Sequence, residues 1–247
     1  MESEDQRIKT DSQQEMARIL ESADRTNPRV TSIAQRIGCA IIEGRLQPGD
    51  DLNTVDLSKQ FQTSRTPVRE ALLLLEKEGL VTIPPYRRPF VAQVSIEEVR
   101  EIYQVRVNLL MLTAELIVNT ASDEDIASLR AFLLPMREMA AAHDIDGVFW
   151  ASVAFRNREA EICGNRQVKR ILDSLGLRTL QLRHLSMKLG RAYAEQRLSD
   201  RERLVGAYEE RDASLAVALT RAMVRRSLKI IEQSEDVRAK KDSGQVA

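Results

Sequence analysis

From Ser95 to about residue 234 the sequence offers one amphipathic helical pattern after another and no strand candidate. The segments fall at about 96–119, 123–142, 144–163, 166–193, 199–211 and 213–234, separated by short polar or Gly-containing breaks. A helix with one apolar stripe has to bury that stripe against neighbours, so the pattern predicts an antiparallel bundle of six or seven helices. Leu109, Leu110, Leu112, Leu116, Leu133 and Leu134 are its expected core lining, with Phe149, Trp150 and Phe155 packing beside a cavity or completing the core.

The preceding stretch has different rhythm. Ile33, Ile37, Ala40 and Ile41 mark a helix from about Thr31 to Gly44, and Leu46-Gln47-Pro48-Gly49 is a turn. A short helix over Val55–Phe61 follows, capped by Asn53 or Thr54. A third begins after Ser64 or Thr66, with Pro67 in its first turn and Val68, Ala71, Leu72 and Leu75 as its stripe. Glu78-Gly79 ends it. Leu80–Ile83 and Phe90–Ala92 read as two strands around the basic loop 84–89. The chain is therefore expected to be mainly α: a winged helix-turn-helix domain at 28–94, the bundle at 95–234, a frayed or extra-helical tail at 1–27 with a helical hint at Gln13–Ser22, and a mobile tail at 235–247.

Charge and composition then exclude whole function classes. Lys and Arg number 37 against 37 Asp and Glu, so no net field draws the chain to nucleic acid. Residues 25–94, however, hold ten basic and seven acidic side chains, a local excess of +3. Two Cys and two His, without metal-type spacing, cannot build a structural zinc site. No signal-type amino terminus and no apolar run of about 18 residues occurs, which points to the cytoplasm and away from a membrane. His143 and His184 stand near no recognisable nucleophile, so no enzyme and no cofactor are expected.

The chemistry sits at the start of the third helix. Arg65 and Arg69, four residues apart, share a face and can reach phosphates or guanine edges, while Ser64, Thr66 and helix amides can meet phosphate. Lys59 on the preceding helix and Arg87 and Arg88 on the wing extend the basic surface. The bland alternative is a solvated surface with Asp56 and Glu70 as ion-pair partners.

Leu46-Gln47-Pro48-Gly49-Asp50-Asp51-Leu52, Leu57-Ser58-Lys59-Gln60-Phe61 and above all Ser64-Arg65-Thr66-Pro67-Val68-Arg69-Glu70-Ala71-Leu72 closely resemble the winged helix-turn-helix of GntR-type bacterial transcription regulators. The resemblance spans roughly residues 31–92 and implies binding to double-stranded operator DNA, with Arg65 and Arg69 in contacting positions. One departure is Arg88-Pro89, where relatives usually carry a glycine before the Phe-Val strand.

The helical remainder resembles the FadR-type carboxy-terminal domain, or FCD, through Ile102-Tyr103-Gln104-Val105-Arg106, Phe155, Cys163-Gly164-Asn165 and Arg211-Asp212. That resemblance implies a homodimer and a cavity for a small organic effector. Many such domains hold a divalent metal with one Asp and three His. Here the matching positions read Ser152, Arg156, Arg201 and either Met223 or Ser227, and Leu110 stands where the family often has Glu. Arginine offers a metal no acceptor and stays protonated, so the expectation becomes no metal and an anionic effector met by Arg106, Ser152, Arg156, Arg201 and Arg226. The competing reading pairs Arg156 or Arg201 with an internal acid such as Glu159 or Glu115. In function the chain reads as an effector-controlled transcription regulator of the repressor type, with an effector-independent architectural or protein-interaction DNA binder as the alternative.

Overall fold

The computed structural model describes Met16, residues 27–187 and residues 191–242. Of the hint at Gln13–Ser22, only Met16, helical and buried, lies within that set. The backbone contacts divide the chain into two compact units, one holding residues 1–94 with 176–181 and the other the rest.

The first unit opens with α1, Pro28–Ile42. It starts three residues earlier than the apolar pattern suggests, because Asn27 caps it, accepting from the Arg29 amide at 3.0 Å, and Pro28 fits the first turn without losing a donor. Its buried face includes Val30, Ile33, Ala34, Ile37 and Ile41. Gly38 lets α1 approach closely: a Cβ there would lie 3.1 Å from Met16 Cε and 3.4 Å from Leu75 Cδ2. Helix α2, Thr54–Gln60, is capped by Asn53 through the Val55 amide. Helix α3, Arg65–Lys77, buries Val68, Ala71, Leu72, Leu74 and Leu75 against α1 and α2.

The wing is smaller and better anchored than expected. Strands β1, Val81–Thr82, and β2, Phe90–Val91, pair antiparallel with Val81 opposite Val91. The segment after the Pro48-Gly49 turn, to which the sequence pattern assigns no element, joins them: Asp51 bridges to Phe90, the Val91 amide donates to the Asp50 carbonyl, and the Leu52 amide donates to the Pro89 carbonyl. Pro89 keeps its carbonyl for this edge although it has no amide to give.

The second unit is a bundle of seven helices among the described residues: α4 Ile96–Thr120, α5 Asp123–Arg130, α6 Leu133–Ala141, α7 Ile145–Ile162, α8 Arg166–Met187, α9 Arg191–Glu209 and α10 Ala213–Asp242. Ser95 caps α4 by accepting from the Glu98 amide, and Ser122 with Asp125 closes a capping box on α5. The segment 123–142, which reads as one helix, is two. Pro135 has no amide for the carbonyl of Ala131, and its ring crowds that carbonyl, so the helix breaks at Ala131-Phe132 and restarts. Helix α9 begins at Arg191 rather than at 199, and α10 continues past 234 to Asp242.

Of the six leucines expected in the core, Leu110 and Leu133 are buried, Leu109 and Leu116 are half-buried, and Leu112 and Leu134 are exposed. The core instead centres on Phe149, Trp150 and Phe155, each fully buried. Phe149 meets Trp150 edge-on at 5.3 Å and Phe132 meets Phe155 at 5.9 Å. No helix among the described residues is long and apolar enough to cross a membrane.

Leu72, fully buried between α3 and its neighbours, carries the packing of the small unit. Leu72→Ala is expected to cost about 2–5 kcal/mol, the range for a buried large-to-small change. Urea denaturation followed by circular dichroism reads it, and a loss below about 1 kcal/mol would contradict this packing.

Candidate functional site

Two regions hold the residues singled out by the sequence. On the small unit, Lys59, Ser64, Arg65, Thr66, Arg69, Arg87 and Arg88 are all exposed. Arg65, Thr66, Arg69, Glu70 and Leu73 form the outward face of α3, opposite its buried stripe. Ser64 occupies the N-cap position with extended backbone, yet its side chain makes no cap hydrogen bond. The hydroxyl expected to satisfy the helix amides leaves them open, next to two arginines. Among the described residues no carboxylate pairs with Lys59, Arg65, Arg69 or Arg87, and Asp56 and Glu70 hold none of them. Arg88 alone of the set has an acid nearby, Asp51 at 3.7 Å, with both side chains well exposed.

In the bundle, a cavity is bounded by Tyr103, Arg106 and Leu110 from α4, Arg156 from α7, Arg183 from α8, and Arg197, Asp200, Arg201, Met223, Arg226 and Ser227 from α9 and α10. Its polar network has four parts. Arg156 Nη1 donates to Glu159 Oε2 at 2.7 Å, and the Tyr208 hydroxyl donates to Glu159 Oε1 at 2.7 Å, so one fully buried carboxylate serves both. Arg226 pairs with Asp200, whose other oxygen accepts from Gln196 at 3.1 Å. Arg201 lies with its guanidinium carbon 4.4 Å from the Phe155 ring centre and donates from Nη2 to the Ser152 carbonyl at 3.1 Å. Tyr103 and Ser227 hydroxyls meet at 3.1 Å.

What this network leaves over is positive. Arg106 Nη1, Arg201 Nε and Nη1, and Ser152 Oγ are buried without a hydrogen-bond partner. Arg201 is only 2% exposed and Arg106 7%. Burial first, then the like charges of Arg156 and Arg197, pulls the Arg201 pKa well below the ordinary arginine range. Arg106 is lowered as well, by burial foremost. Burial, reinforced by the Glu159 charge, raises the Tyr208 hydroxyl well above the usual phenol value, which keeps it a donor to Glu159.

Residues 29–91 match the description "Bacterial regulatory proteins, gntR family", and residues 101–226, half of the chain, match "FCD domain". The chain belongs to the gntR family, with an FCD domain. A curated relative, the uncharacterized HTH-type transcriptional regulator YdhC of Bacillus subtilis, is 32% identical over 43% of this chain and 47% of its own length. The HTH-type transcriptional repressor GlaR of Escherichia coli is 26% identical over 78% of this chain and 91% of its own. The chain spans about half the length of the first curated relatives it matches. Among solved structures, that of E. coli McbR/YncC superposes with a TM-score of 0.75 at 21% identity, covering 85% of this chain and all of that one.

The FCD positions that hold a metal in many relatives do not fit one here. The four positions meet in two pairs: Arg201 bonds the Ser152 carbonyl, and Arg156 Nη2 lies 4.0 Å from Met223 Sδ. Two guanidiniums, without lone pairs, occupy the ligand positions, and no group of three potential ligands occurs among the described residues. The internal-acid reading holds for Arg156 and not for Arg201. Arg156 pairs with Glu159, as the internal-acid alternative has it, whereas Arg201 has only a neutral carbonyl and Glu115 lies exposed. Arg183, Arg197 and Asp200 were not singled out in the sequence. The four-residue spacing of Arg197 and Arg201 on one helix was available as a signal, but nothing local marks Arg183. His143 is exposed in a left-handed turn, and His184 is buried against Asp146 at 2.6 Å. Cys163 is buried at the end of α7, with Sγ 3.2 Å from the Ala160 carbonyl.

Glu159 is the keystone of this network. Glu159→Ala leaves the half-buried Arg156 without its carboxylate and the fully buried Tyr208 hydroxyl without its acceptor, and should destabilise the protein by about 3–5 kcal/mol. Tyr208→Phe removes one hydrogen bond to a charge and should cost about 1.5–3 kcal/mol. Denaturant titration of both variants checks the order, and equal losses would overturn the assignment of Glu159 as the shared partner.

Proposed function

We propose that this protein is a sequence-specific, homodimeric transcription regulator that binds operator DNA through its winged helix-turn-helix and is released by a small anionic effector held in its FCD domain. It acts as a repressor, in the cytoplasm, without a metal or cofactor. The observation that carries the DNA-binding half is the outward face of α3, where Arg65 and Arg69 stand without carboxylate partners beside the uncapped helix amides. Phosphates satisfy those amides while the arginines read guanine edges, and Lys59, Ser64, Thr66, Arg87 and Arg88 position the backbone. The repressor sign follows the printed description of GlaR, itself a transcriptional repressor.

The effector half is supported by the buried nitrogens of Arg106 and Arg201 that lack partners, with Ser152, Arg156 and Arg226 completing the set. A ligand changes operator affinity only by binding one arrangement of the dimer better than another. Self-association is supported by Val105 and Leu112, exposed apolar residues two turns apart on α4.

Selection of DNA from a random library with the purified protein identifies the operator and tests the reading. Arg65→Ala and Arg69→Ala are each expected to weaken that operator by about 1–3 kcal/mol and to relax base preference, with helix content unchanged. Measured at controlled salt, retention of both affinity and preference would refute the α3 assignment. Arg106→Gln should bring the ratio of operator affinity without and with effector toward one. Effector-independent occupancy in the unmodified protein would favour an architectural DNA binder instead.

A further inference from the structure

Tyr86 stands at the tip of the wing with its whole side chain in solvent, at 107% relative exposure. The other exposed large apolar side chains among the described residues lie between 37% and 60%. Its backbone is as unusual as its exposure. The Arg87 amide donates to the Pro84 carbonyl at 3.3 Å, closing a four-residue turn with Pro85 second and Tyr86, at φ +60°, third. Proline is favoured at the second place of such a turn and glycine at the third. A tyrosine there accepts left-handed strain that glycine would avoid, and its ring gains no burial in return. Strain kept at a fully exposed aromatic residue points to a contact made outside the chain.

The wing also holds that ring in place. Pro84, Pro85 and Pro89 restrict the loop backbone. Its base is fixed by Val81 opposite Val91 and by the Leu52 amide, which donates to the Pro89 carbonyl at 2.7 Å. A side chain presented on a restricted loop loses less freedom on binding than one on a flexible loop. Arg87 and Arg88 follow Tyr86 directly, and both are exposed. Arg88 has only a 3.7 Å contact with the exposed Asp51. A planar ring beside two cations suits a narrow cleft in a polyanion.

We infer that Tyr86 enters the minor groove of the operator and distinguishes A·T from G·C pairs beside the sequence met by α3. The inference rests on the reading of this chain as an operator-binding protein, and it adds a base contact where the wing arginines supply backbone contacts alone. The minor groove of B-DNA is about 6 Å wide, which admits a ring edge-on. Its floor offers A N3 and T O2 as acceptors, and the phenol hydroxyl can donate to either. A G·C pair places the guanine amino group, itself a donor, on that floor in the path of the ring. Runs of A·T also narrow the groove and deepen its negative potential, which Arg87 and Arg88 then meet. The groove pattern is degenerate, so A·T and T·A are accepted alike.

The operator selected from a random library with the full chain supplies the probe. Fluorescence anisotropy at fixed salt compares duplexes whose flanking pairs are A·T, G·C or inosine·C, the last having the major-groove face of G·C without the minor-groove amino group. The unmodified protein is expected to bind the A·T and inosine·C flanks alike, at least about fivefold more tightly than the G·C flank, the size of one hydrogen bond or one mismatched pair. Tyr86→Ala should bind all three flanks alike, with the bases read by α3 unchanged. Tyr86→Gly should do the same while its thermal unfolding midpoint equals or exceeds that of the unmodified protein, since glycine suits the left-handed turn. That result separates a lost contact from a lost wing. Inosine·C bound as weakly as G·C overturns minor-groove reading, as does a fall in affinity for Tyr86→Ala that leaves the flank preference intact. Variants indistinguishable from the unmodified protein overturn the role of Tyr86 and leave operator binding by α3 standing. Failure to select any operator overturns the DNA-binding reading and this inference with it.

Discussion

A guanidinium taken out of water keeps its charge, so every buried arginine in a helical bundle has to find either a carboxylate or an aligned set of acceptors. That requirement organises the interior of the FCD domain. Glu159, with no exposure at all, is tolerable because Arg156 and Tyr208 each donate to one of its oxygens. Asp200 is tolerable because Gln196 and Arg226 divide its oxygens in the same way. These two carboxylates tie α7 to α9 and α9 to α10 with directional bonds that an apolar core would lack. Arg106 and Arg201 are the members without a carboxylate, Arg201 having only the neighbouring Phe155 ring and one carbonyl.

The small unit meets a different constraint. Its helices are short, and a seven-residue helix such as α2 is not stable alone. Asn27 and Asn53 supply caps, and Gly38 lets α1 lie close to the side chains of Leu75 and Met16. The Asp50–Leu52 segment adds an edge to a wing of two-residue strands that would otherwise be marginal. With the helices held in this way, the α3 face carrying Arg65 and Arg69 is free of structural duty. Ser64 can keep its hydroxyl out of the cap because tertiary packing, rather than capping, holds the helix.

Legibility in the sequence followed the range of the forces involved. Helix periodicity, turn glycines and the α3 motif are local, and they located the elements of the small unit and the helices of the bundle. The errors arose where one residue acts across a turn or across the fold. Pro135 breaks the segment 123–142 at a carbonyl four residues back, and Ser199-Asp200 resembles a helix start although Asp200 is spent on Gln196 and Arg226. Leu112 and Leu134 are apolar yet exposed, since a stripe fixes which residues share a face but not which face is covered. The arginine set at positions 106, 156 and 201 was found by resemblance to metal-holding relatives. Its division into paired and unpaired members depends on Glu159 and Phe155, which lie three residues along α7 and one residue before Arg156 and carry no such mark.

If the proposed effector site is real, incomplete compensation of Arg106 and Arg201 links the stability of the bundle to the anion it binds. Charges buried without a counter-charge lower the stability of the empty domain, and whatever supplies the missing charge adds stability in proportion to its concentration over its dissociation constant. A domain built with every guanidinium paired internally would be more stable and would have nothing left with which to hold an anion. A metal-holding domain solves the same problem by interposing a cation, and its response then depends on that ion being present. Here the cations are part of the chain. In the proposed reading the cost falls on Arg106 of α4 and Arg201 of α9, the buried guanidiniums without a carboxylate of their own, and an anion that supplies that charge shifts the balance between the arrangements of the proposed dimer.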